Sequence, residues 1–374
     1  MAFMNIGIFI PGFGQTEDDP VLTVYMALVR ELRKTHYVRV FAMRYPQHYE
    51  PYTIFDDVHV FPFNAGYDQV TMPRAQYLQQ LEEQILVHHE STPFDIFHAI
   101  WAEETAYMAN RLGQHLGIPT VVSLAGGEIV AHQNINYGML LGRSTSQLVD
   151  FSLRNATQII APSITLGKIA EQYLRNLNIY DQETLQTVPL GVDTTIFKPP
   201  KFDVREIDFL HVASLEPVKR QDYLFDIVEQ VPNMTVHIAG DGSLAKYLQT
   251  QVQVRGIDDR VIFLGYLSED ELISYYQRAK FLIITSQHEA FCLPALEAYA
   301  CGMEIIGTPV GVLPEFGQTS PSLEGIIDLV KERKRYFNED NAAERNATIQ
   351  RDYSIDSMVA GVQIVYTKAI SRKR

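Results

Sequence analysis

Ser286 to Gly302 reads SQHEAFCLPALEAYACG, and the architecture of the whole chain follows from it. The stretch comes after an apolar run, Phe281-Leu282-Ile283-Ile284-Thr285, that reads as a short buried strand. Pro294 is placed to be the first residue of a helix, where its missing N–H does no harm, and Gly302 suits the stop. The segment therefore reads strand, loop, helix, with Glu289 in the loop and Glu297 in the first helical turn. A helix N-terminus presents free N–H groups and partial positive charge, which suits a phosphate or a cluster of sugar hydroxyls. Carboxylates flanking such a site accept several hydrogen bonds each and so suit a ligand rich in hydroxyls.

Glu289 and Glu297, separated by seven residues, resemble the E-x(7)-E signature of retaining GT-B glycosyltransferases, family 4 in particular. That family shows E-G-F-G-L-P-x-x-E-A-x-A-C-G where this chain has EAFCLPALEAYACG. Phe291, Leu293, Pro294, Ala298, Cys301 and Gly302 match, while Ala290 and Cys292 stand in place of glycines. The resemblance implies an α/β protein of GT-B architecture: two Rossmann-like domains facing a cleft, with a C-terminal helix crossing back to the first.

Composition sets limits around this reading. A chain of 374 residues, 46% hydrophobic and 20% charged, has room for two globular domains. The net charge of −14 argues against a nucleic-acid partner. Two cysteines in one strand-loop-helix unit form neither a disulfide framework nor a zinc pattern, which points to a reducing compartment. MAFMNIGIFIPG lacks the basic region and cleavage site of a signal peptide. No apolar run reaches the ~20 residues that span a bilayer. A cytoplasmic protein is expected. Peripheral membrane contact stays open through Arg30, Arg33 and Lys34 and through Arg372-Lys373-Arg374, which read equally as solvated surface charge.

The chain alternates strands and helices from its start. Strands are expected at 5–10, 38–42, 58–61, 94–100, 120–123, 158–161 and 185–188, with helices from Asp19-Pro20 to about Lys34 and over 72–89, 103–116 and 163–175. Alternation of this kind predicts a parallel sheet covered by helices. At PLGVDTTIFKPP the composition shifts to a linker, and GVDTTIFKP resembles the motif that ends the first domain in the family. Residues 1–192 are thus expected to form the acceptor-side domain, with 353–374 packing back on it, and 193–352 the donor-binding domain. In the second series, strands are expected at 208–213, 235–239, 261–263 and 281–285, with helices at 221–230, 244–254 and 269–278. Beyond Phe316 the chain reads as shortened relative to the family.

ASLEPVK, Ala213 to Lys219, lies between a strand and a helix and so opens at the carboxyl edge of a sheet, where open α/β folds bind ligands. Lys219 there can neutralise a departing diphosphate. It matches the lysine of the family's G-R-L-x-x-x-K-G, whereas Ser214 takes the place of the arginine, and Arg220 is a candidate for the second charge. Gly240-Asp241-Gly242 resembles the turn beneath the nucleotide, and Tyr266 follows the loop position that reads the base. The resemblance implies that Glu289 contacts the donor sugar and Glu297 the ribose. Amides of Phe291, Cys292 and Leu293 would meet sugar or phosphate. Gly311 and Glu315 read as scaffold.

On the acceptor side, Pro11-Gly12-Phe13-Gly14 resembles the family's glycine-rich loop, with Gly14 toward the diphosphate and Gly12 toward the acceptor. His98-Ala99-Ile100-Trp101 resembles H-A-H-W, and His98 on an apolar strand reads as a hydrogen-bonded core histidine. Ser123 to Glu128, SLAGGE, aligns with T-x-H-G-x-D/E and puts Ala125 where a histidine usually stands. Glu128 and His132 are the nearby candidate acceptor contacts. No D-x-D pair and no metal-ligand spacing occurs, so no metal and no cofactor is implied.

The resulting expectation is a metal-independent, retaining transferase. It would move a hexose from a UDP-, GDP- or ADP-linked donor to a sugar, lipid-linked or small-molecule acceptor. A catalytically silent nucleotide-sugar binder or partner subunit is the alternative, motivated by Ser214, Ala125, Ala290 and Cys292. A dehydrogenase is disfavoured because the first loop lacks G-x-G-x-x-G.

Overall fold

The computed structural model describes residues 2–19, 21–45, 50–63, 74–201, 205–337 and 341–372. The chain forms two compact units. The first comprises Met1–Pro162, Leu166–Pro189 and Ile355–Arg374, and the second comprises Ser163–Thr165 and Leu190–Ser354. Both are α/β with parallel sheets.

The first unit contains, in order, β1 (Asn5–Gly12), α1 (Thr23–Leu32), β2 (Tyr37–Tyr45), β3 (Tyr52–Ile54), β4 (Val58–Pro62), α2 (Arg74–Ser91), β5 (Ile96–Ile100), α3 (Glu104–Leu116), β6 (Thr120–Ser123), α4 (Arg143–Asn155), β7 (Gln158–Ala161), α5 (Ile164–Asn176) and β8 (Leu185–Thr187). Its strands line up as β3-β4-β2-β1-β5-β6-β7-β8 among the described residues, and only the β3–β4 pair is antiparallel. β5, IFHAI, is buried at every position, as a strand covered on both faces must be. Phe9 lies 5.1 Å from Phe41 and meets Phe97 edge-on at 5.4 Å, filling the centre.

Two expectations for this unit are corrected. Asp19 does not cap α1, which begins at Thr23 after Leu22 in a left-handed conformation (φ 51°). The Asp19 carboxylate instead holds the preceding loop, accepting from Gln15 N at 3.1 Å and from the Tyr45 hydroxyl at 3.0 Å. The sequence reading also missed α4, because RSTSQLVDFSLRN carries three serine and threonine residues in its first turn and buries only Val149, Ser152 and Leu153.

The second unit contains β9 (Ile207–Val212), α6 (Gln221–Gln230), β10 (Val236–Ala239), α7 (Ala245–Val254), β11 (Val261–Gly265), α8 (Glu269–Arg278), β12 (Ala279–Ile284), α9 (Leu293–Ala300), β13 (Glu304–Gly307), α10 (Leu313–Phe316), β14 (Gln318–Thr319), α11 (Leu323–Arg335) and α12 (Ala342–Asp352). Its sheet is parallel throughout, in the order β11-β10-β9-β12-β13-β14. The region beyond Phe316, expected to be shortened, holds β14, α11 and α12. The unit begins at Leu190 rather than 193 because Val192 N donates to Tyr353 O at 2.9 Å and bridges Ser354, which fixes the linker to this unit's last residues.

The last helix, α13 (Ile355–Arg372), returns to the first unit and packs over α1, β5, β6 and β7. Its anchor is polar. Buried His98 on β5 joins Tyr366 Oη through Nδ1 and Ser123 Oγ through Nε2, each at 2.8 Å. Burial lowers the His98 pKa to about 3. In the second unit, burial lowers buried His211 to about 4, while its Nδ1–H donates to Ile283 O at 2.8 Å.

Both histidines fold neutral and take up protons when unfolded below about pH 6.5. The stability they contribute is therefore complete above that value and falls as pH drops toward 4, by up to about 1.4 kcal/mol per pH unit for each histidine. Between pH 6.5 and 5, Glu297, raised to about 7 by burial, contributes in the opposite sense in wild type and variant alike, so the histidine contribution is read from the difference between their urea midpoints. His98→Gln, less stable at pH 8, should lose less over that interval, and an identical slope in the variant would contradict a neutral His98.

Backbone strain at Cys292 gives a second test. The turn into α9 passes through Cys292 at φ 83°, a conformation that costs a side-chain-bearing residue about 1–2 kcal/mol. Glycine there relieves the strain but removes a buried thiol of comparable worth. Cys292→Gly should leave the thermal midpoint within a few degrees. Cys292→Val, β-branched at positive φ, should lower it markedly in a calorimetric scan.

Candidate functional site

In the second unit, chemistry-bearing residues gather where parallel strands end. β9 and β12 are neighbours, so the loops leaving them lie side by side. After β9 the chain makes a 3-10 turn, Pro217–Lys219, and enters α6. After β12 it runs through residues 285–292 into α9. Thr285 Oγ1 donates to Lys219 O at 2.9 Å and Gln287 N to Val218 O at 2.8 Å, lacing the two loops together.

Lys219 Nζ and Glu289 Oε1 meet across the loops at 2.6 Å, with side chains 20% and 13% exposed. Ser286 Oγ donates to the same Glu289 oxygen at 2.7 Å, and Thr308 Oγ1 holds Ser286 O at 2.7 Å. Burial pulls the Lys219 ammonium down, but the charge and hydrogen bond of Glu289 outweigh it and hold the ammonium above its usual value. The two side chains thus meet partly sheltered from solvent, with the Lys219 ammonium stabilised by its partner.

The neighbouring motifs are packed against this loop pair. Gly240 adopts φ 134°, and a Cβ there would fall 1.9 Å from Ala213 O. Only glycine lets the β10 turn lie against the β9 loop. Glu216 completes the join by accepting from Ser243 N at 2.8 Å and Ser243 Oγ at 2.7 Å. Tyr266 is 71% exposed just past β11. Phe291 and Cys292 direct buried side chains into the core, Leu293 is half-buried, and Val312 N donates to Phe291 O at 2.8 Å. Burial raises the Cys292 thiol well above its usual range, which argues against a nucleophilic thiolate.

Glu297 lies in the second turn of α9, not the first, because the helix already begins at Leu293 with Pro294 second. Tyr276 Oη donates to its carboxylate at 2.8 Å. Burial raises Glu297 to about 7 against that hydrogen bond. Arg220, expected as a second phosphate charge, is placed differently. It takes a left-handed conformation (φ 51°), and its guanidinium lies 3.9 Å over the ring of Tyr223 on α6. Ser214 is exposed, and its carbonyl accepts from Gln221 Nε2 at 3.0 Å. Glu315 accepts from Ile164 N at 3.1 Å and Tyr353 Oη at 2.9 Å, so its carboxylate braces the unit.

The first unit has a candidate site of its own at the carboxyl ends of β1, β2, β5 and β6. A cavity of 640 Å³ is lined there by Pro11, Arg44, Trp101, Glu103, Glu128 and Tyr137, among others. Glu128, expected as an acceptor contact, is fully buried. Its carboxylate accepts from Ala125 N at 2.9 Å, Gly126 N at 2.7 Å and Ala102 N at 3.4 Å, so it shapes the loop from within. Burial raises its pKa against those amide bonds. His132 stacks near Tyr137 with centroids 6.2 Å apart, and their backbones pair. Gly12 closes β1 opposite Tyr45, and Gly14 is packed so that a Cβ would fall 2.6 Å from Met26 Sδ. The Tyr52 hydroxyl binds the carbonyls of Phe13 and Gly14 at 3.1 and 2.8 Å.

Sequence reading missed Arg44, Glu103 and Tyr137. They come from the end of β2, the start of α3 and the segment before α4, and none belongs to a motif. Trp101 gave a signal, as the one tryptophan of the chain at the end of a buried strand.

Among the described residues, no three His, Cys, Asp or Glu side chains come together as a metal site, and no helix is long and apolar enough to cross a membrane.

Comparison with known proteins fits both units. Residues 21–196 match the model of Glycosyltransferase Family 4, and residues 192–318 that of Glycosyl transferases group 1. D-inositol 3-phosphate glycosyltransferase of Mycolicibacterium smegmatis is 32% identical over 161 residues, 39% of this chain and 37% of that protein. The match spans less than half the length of that relative. Sucrose-phosphate synthase from Thermosynechococcus elongatus superposes with a TM-score of 0.76 at 17% identity, covering 99% of this chain and 100% of its own. Anabaena HepE in complex with UDP gives 0.72 at 16% identity, covering 98% and 100%. The two adjoining models together match residues 21–318 across both units, and the fold is that of GT-B glycosyltransferases.

Proposed function

We propose that the chain is a retaining, metal-independent hexosyltransferase that binds a nucleotide-diphosphate sugar on its second unit and an acceptor on its first. The observation that carries this reading is the Lys219–Glu289 pair, 2.6 Å apart at adjoining strand ends. A fixed ammonium there stabilises the negative charge that develops on a departing diphosphate, without reorganisation at the moment of reaction. Glu289 keeps Lys219 charged and presents its second carboxylate oxygen to sugar hydroxyls. Glu297, braced by Tyr276, is positioned for ribose hydroxyls. The acceptor hydroxyl attacks the anomeric carbon from the face the diphosphate leaves. The C–O bond to the diphosphate breaks as the new glycosidic bond forms, and the acceptor proton passes to the departing phosphate oxygen. No cofactor or metal takes part.

UDP is present in the HepE structure, and the mycobacterial relative is named for inositol 3-phosphate, so uridine donors and cyclic polyol acceptors are the first to test. A cytoplasmic site of action with peripheral membrane contact accords with lipid-linked acceptors. The second reading, a silent nucleotide-sugar binder, draws support from Ser214 and from Arg220 stacked on Tyr223, which leave Lys219 as the cation of this motif.

Calorimetric titration with UDP, GDP and ADP should show tight binding of one nucleotide, weakened at least tenfold in Glu297→Ala. Lys219→Met should lower kcat on the matching donor by a hundredfold or more while changing nucleotide affinity only several-fold. Binding of no nucleotide would remove the transferase reading, and binding without turnover would favour the silent one.

A further inference from the structure

The cavity of the first unit contains an arginine whose charge is already matched. Arg44 Nη2 lies 3.0 Å from Glu103 and 3.5 Å from Glu104, and the two carboxylate side chains are 12% and 10% exposed. Glu103 and Glu104 also stand at the start of α3, so the positive end of that helix is complemented by the chain's own carboxylates. Glu128 adds a third carboxyl beneath the cavity. Burial raises both Glu103 and Glu128, the former against the pull of Arg44. Even with Glu128 neutral, Arg44 still faces two carboxyls. The wall therefore offers hydrogen-bond acceptors and a shared guanidinium but no net positive charge to an incoming anion.

The other walls are aromatic. Trp101 adopts φ 73°, a strained conformation for a bulky residue, and is fixed there by Trp101 N donating to Ser123 O at 2.9 Å and by Thr105 Oγ1 bonding its carbonyl at 2.8 Å. Tyr25 lies 5.9 Å from its ring. Gly126 and Gly127 allow the rings to close on the loop: a Cβ on Gly126 would sit 2.9 Å from Trp101 Nε1, and one on Gly127 would sit 2.8 Å from Tyr137. An aromatic face beside paired carboxylates suits a ring with an apolar C–H face and an equatorial edge of hydroxyls.

We propose that this cavity selects an uncharged saccharide or cyclic polyol as acceptor and discriminates against its phosphorylated form, with Glu103 as the specificity-determining residue. The inference rests on the transferase reading for the word acceptor, but the selectivity belongs to the cavity and is measured without any donor. A phosphate brought beside Arg44 meets Glu103 and Glu104 first and must displace them, leaving buried carboxylates unpaired. Removing the Glu103 charge frees half of that pairing and turns the wall toward anions.

Trp101 is the single tryptophan of the 374 residues, so tryptophan fluorescence, excited at the red edge where tyrosine does not absorb, reports this cavity alone. The full chain is titrated with myo-inositol and methyl α-D-glucopyranoside, and with inositol 1-phosphate and glucose 6-phosphate. The neutral probes should bind at least tenfold more tightly than the phosphates. Glu103→Gln should strengthen phosphate binding about tenfold and change the neutral probes less than threefold. Should Glu103→Gln fail to fold by circular dichroism, Glu104→Gln at the longer contact should shift the same ratio more weakly. Phosphates binding as tightly as neutral probes in the wild type would overturn the proposal. So would an unchanged ratio in the variant that folds, or no fluorescence response to either neutral probe. Nucleotide binding, read by calorimetry on the second unit, is unaffected by these outcomes, so failure here is distinct from failure of the transferase reading.

Discussion

A lysine and a glutamate held 2.6 Å apart at the ends of two neighbouring parallel strands set the terms for the second unit. Two charges withdrawn from water are costly unless each is paired and hydrogen-bonded. The surrounding loops satisfy that demand: Ser286 donates to Glu289, Thr308 holds Ser286, and Thr285 fastens the turn that presents Lys219. The glycine turn after β10 and the Glu216–Ser243 contacts then fix the same loop from its other side. Loss of either charge would leave the other half-buried and unpaired, so the position of these loops and the chemistry they can perform are one constraint.

The first unit solves a related problem with different residues. Its fully buried His98 is neutral and closed off by Ser123 and Tyr366, so it fastens α13 to the sheet. At the carboxyl ends of the strands, Arg44 is shared between Glu103 and Glu104. One unit thus presents a lysine–glutamate pair at its strand ends, and the other a wall in which an arginine is shared by two carboxylates.

Much of this was legible in the sequence, and the reasons are specific. Parallel strands buried on both faces leave uninterrupted apolar runs such as Phe281 to Ile284, so strand positions could be read directly. Glu289 and Glu297 stood in one strand-loop-helix motif and Lys219 in another, each with the spacing such a unit imposes. Arg220 follows Lys219 in the chain, yet chain adjacency says nothing of direction, and its guanidinium lies over Tyr223. Asp19 resembled a helix cap but serves a loop two elements wide, through Tyr45. The polar wall of the first-unit cavity was hidden for a related reason. Arg44 and Glu103 are 59 residues apart, and only the adjacency of β2, β1 and β5 brings their ends together. Helix α4 was missed because its apolar face is narrow and its first turn is rich in hydroxyl side chains.

The account stands most directly on whether Lys219 stabilises a departing diphosphate. Incubation of the full chain with UDP-glucose, GDP-mannose and ADP-glucose, with released nucleotide followed over hours and the sugar anomer read by NMR, addresses this without knowledge of the acceptor. The account predicts slow release of nucleotide from one donor, initial formation of the anomer that retains the donor's configuration, and loss of release in Lys219→Met. Tight binding of a donor with no release, or equal release by Lys219→Met, would contradict it.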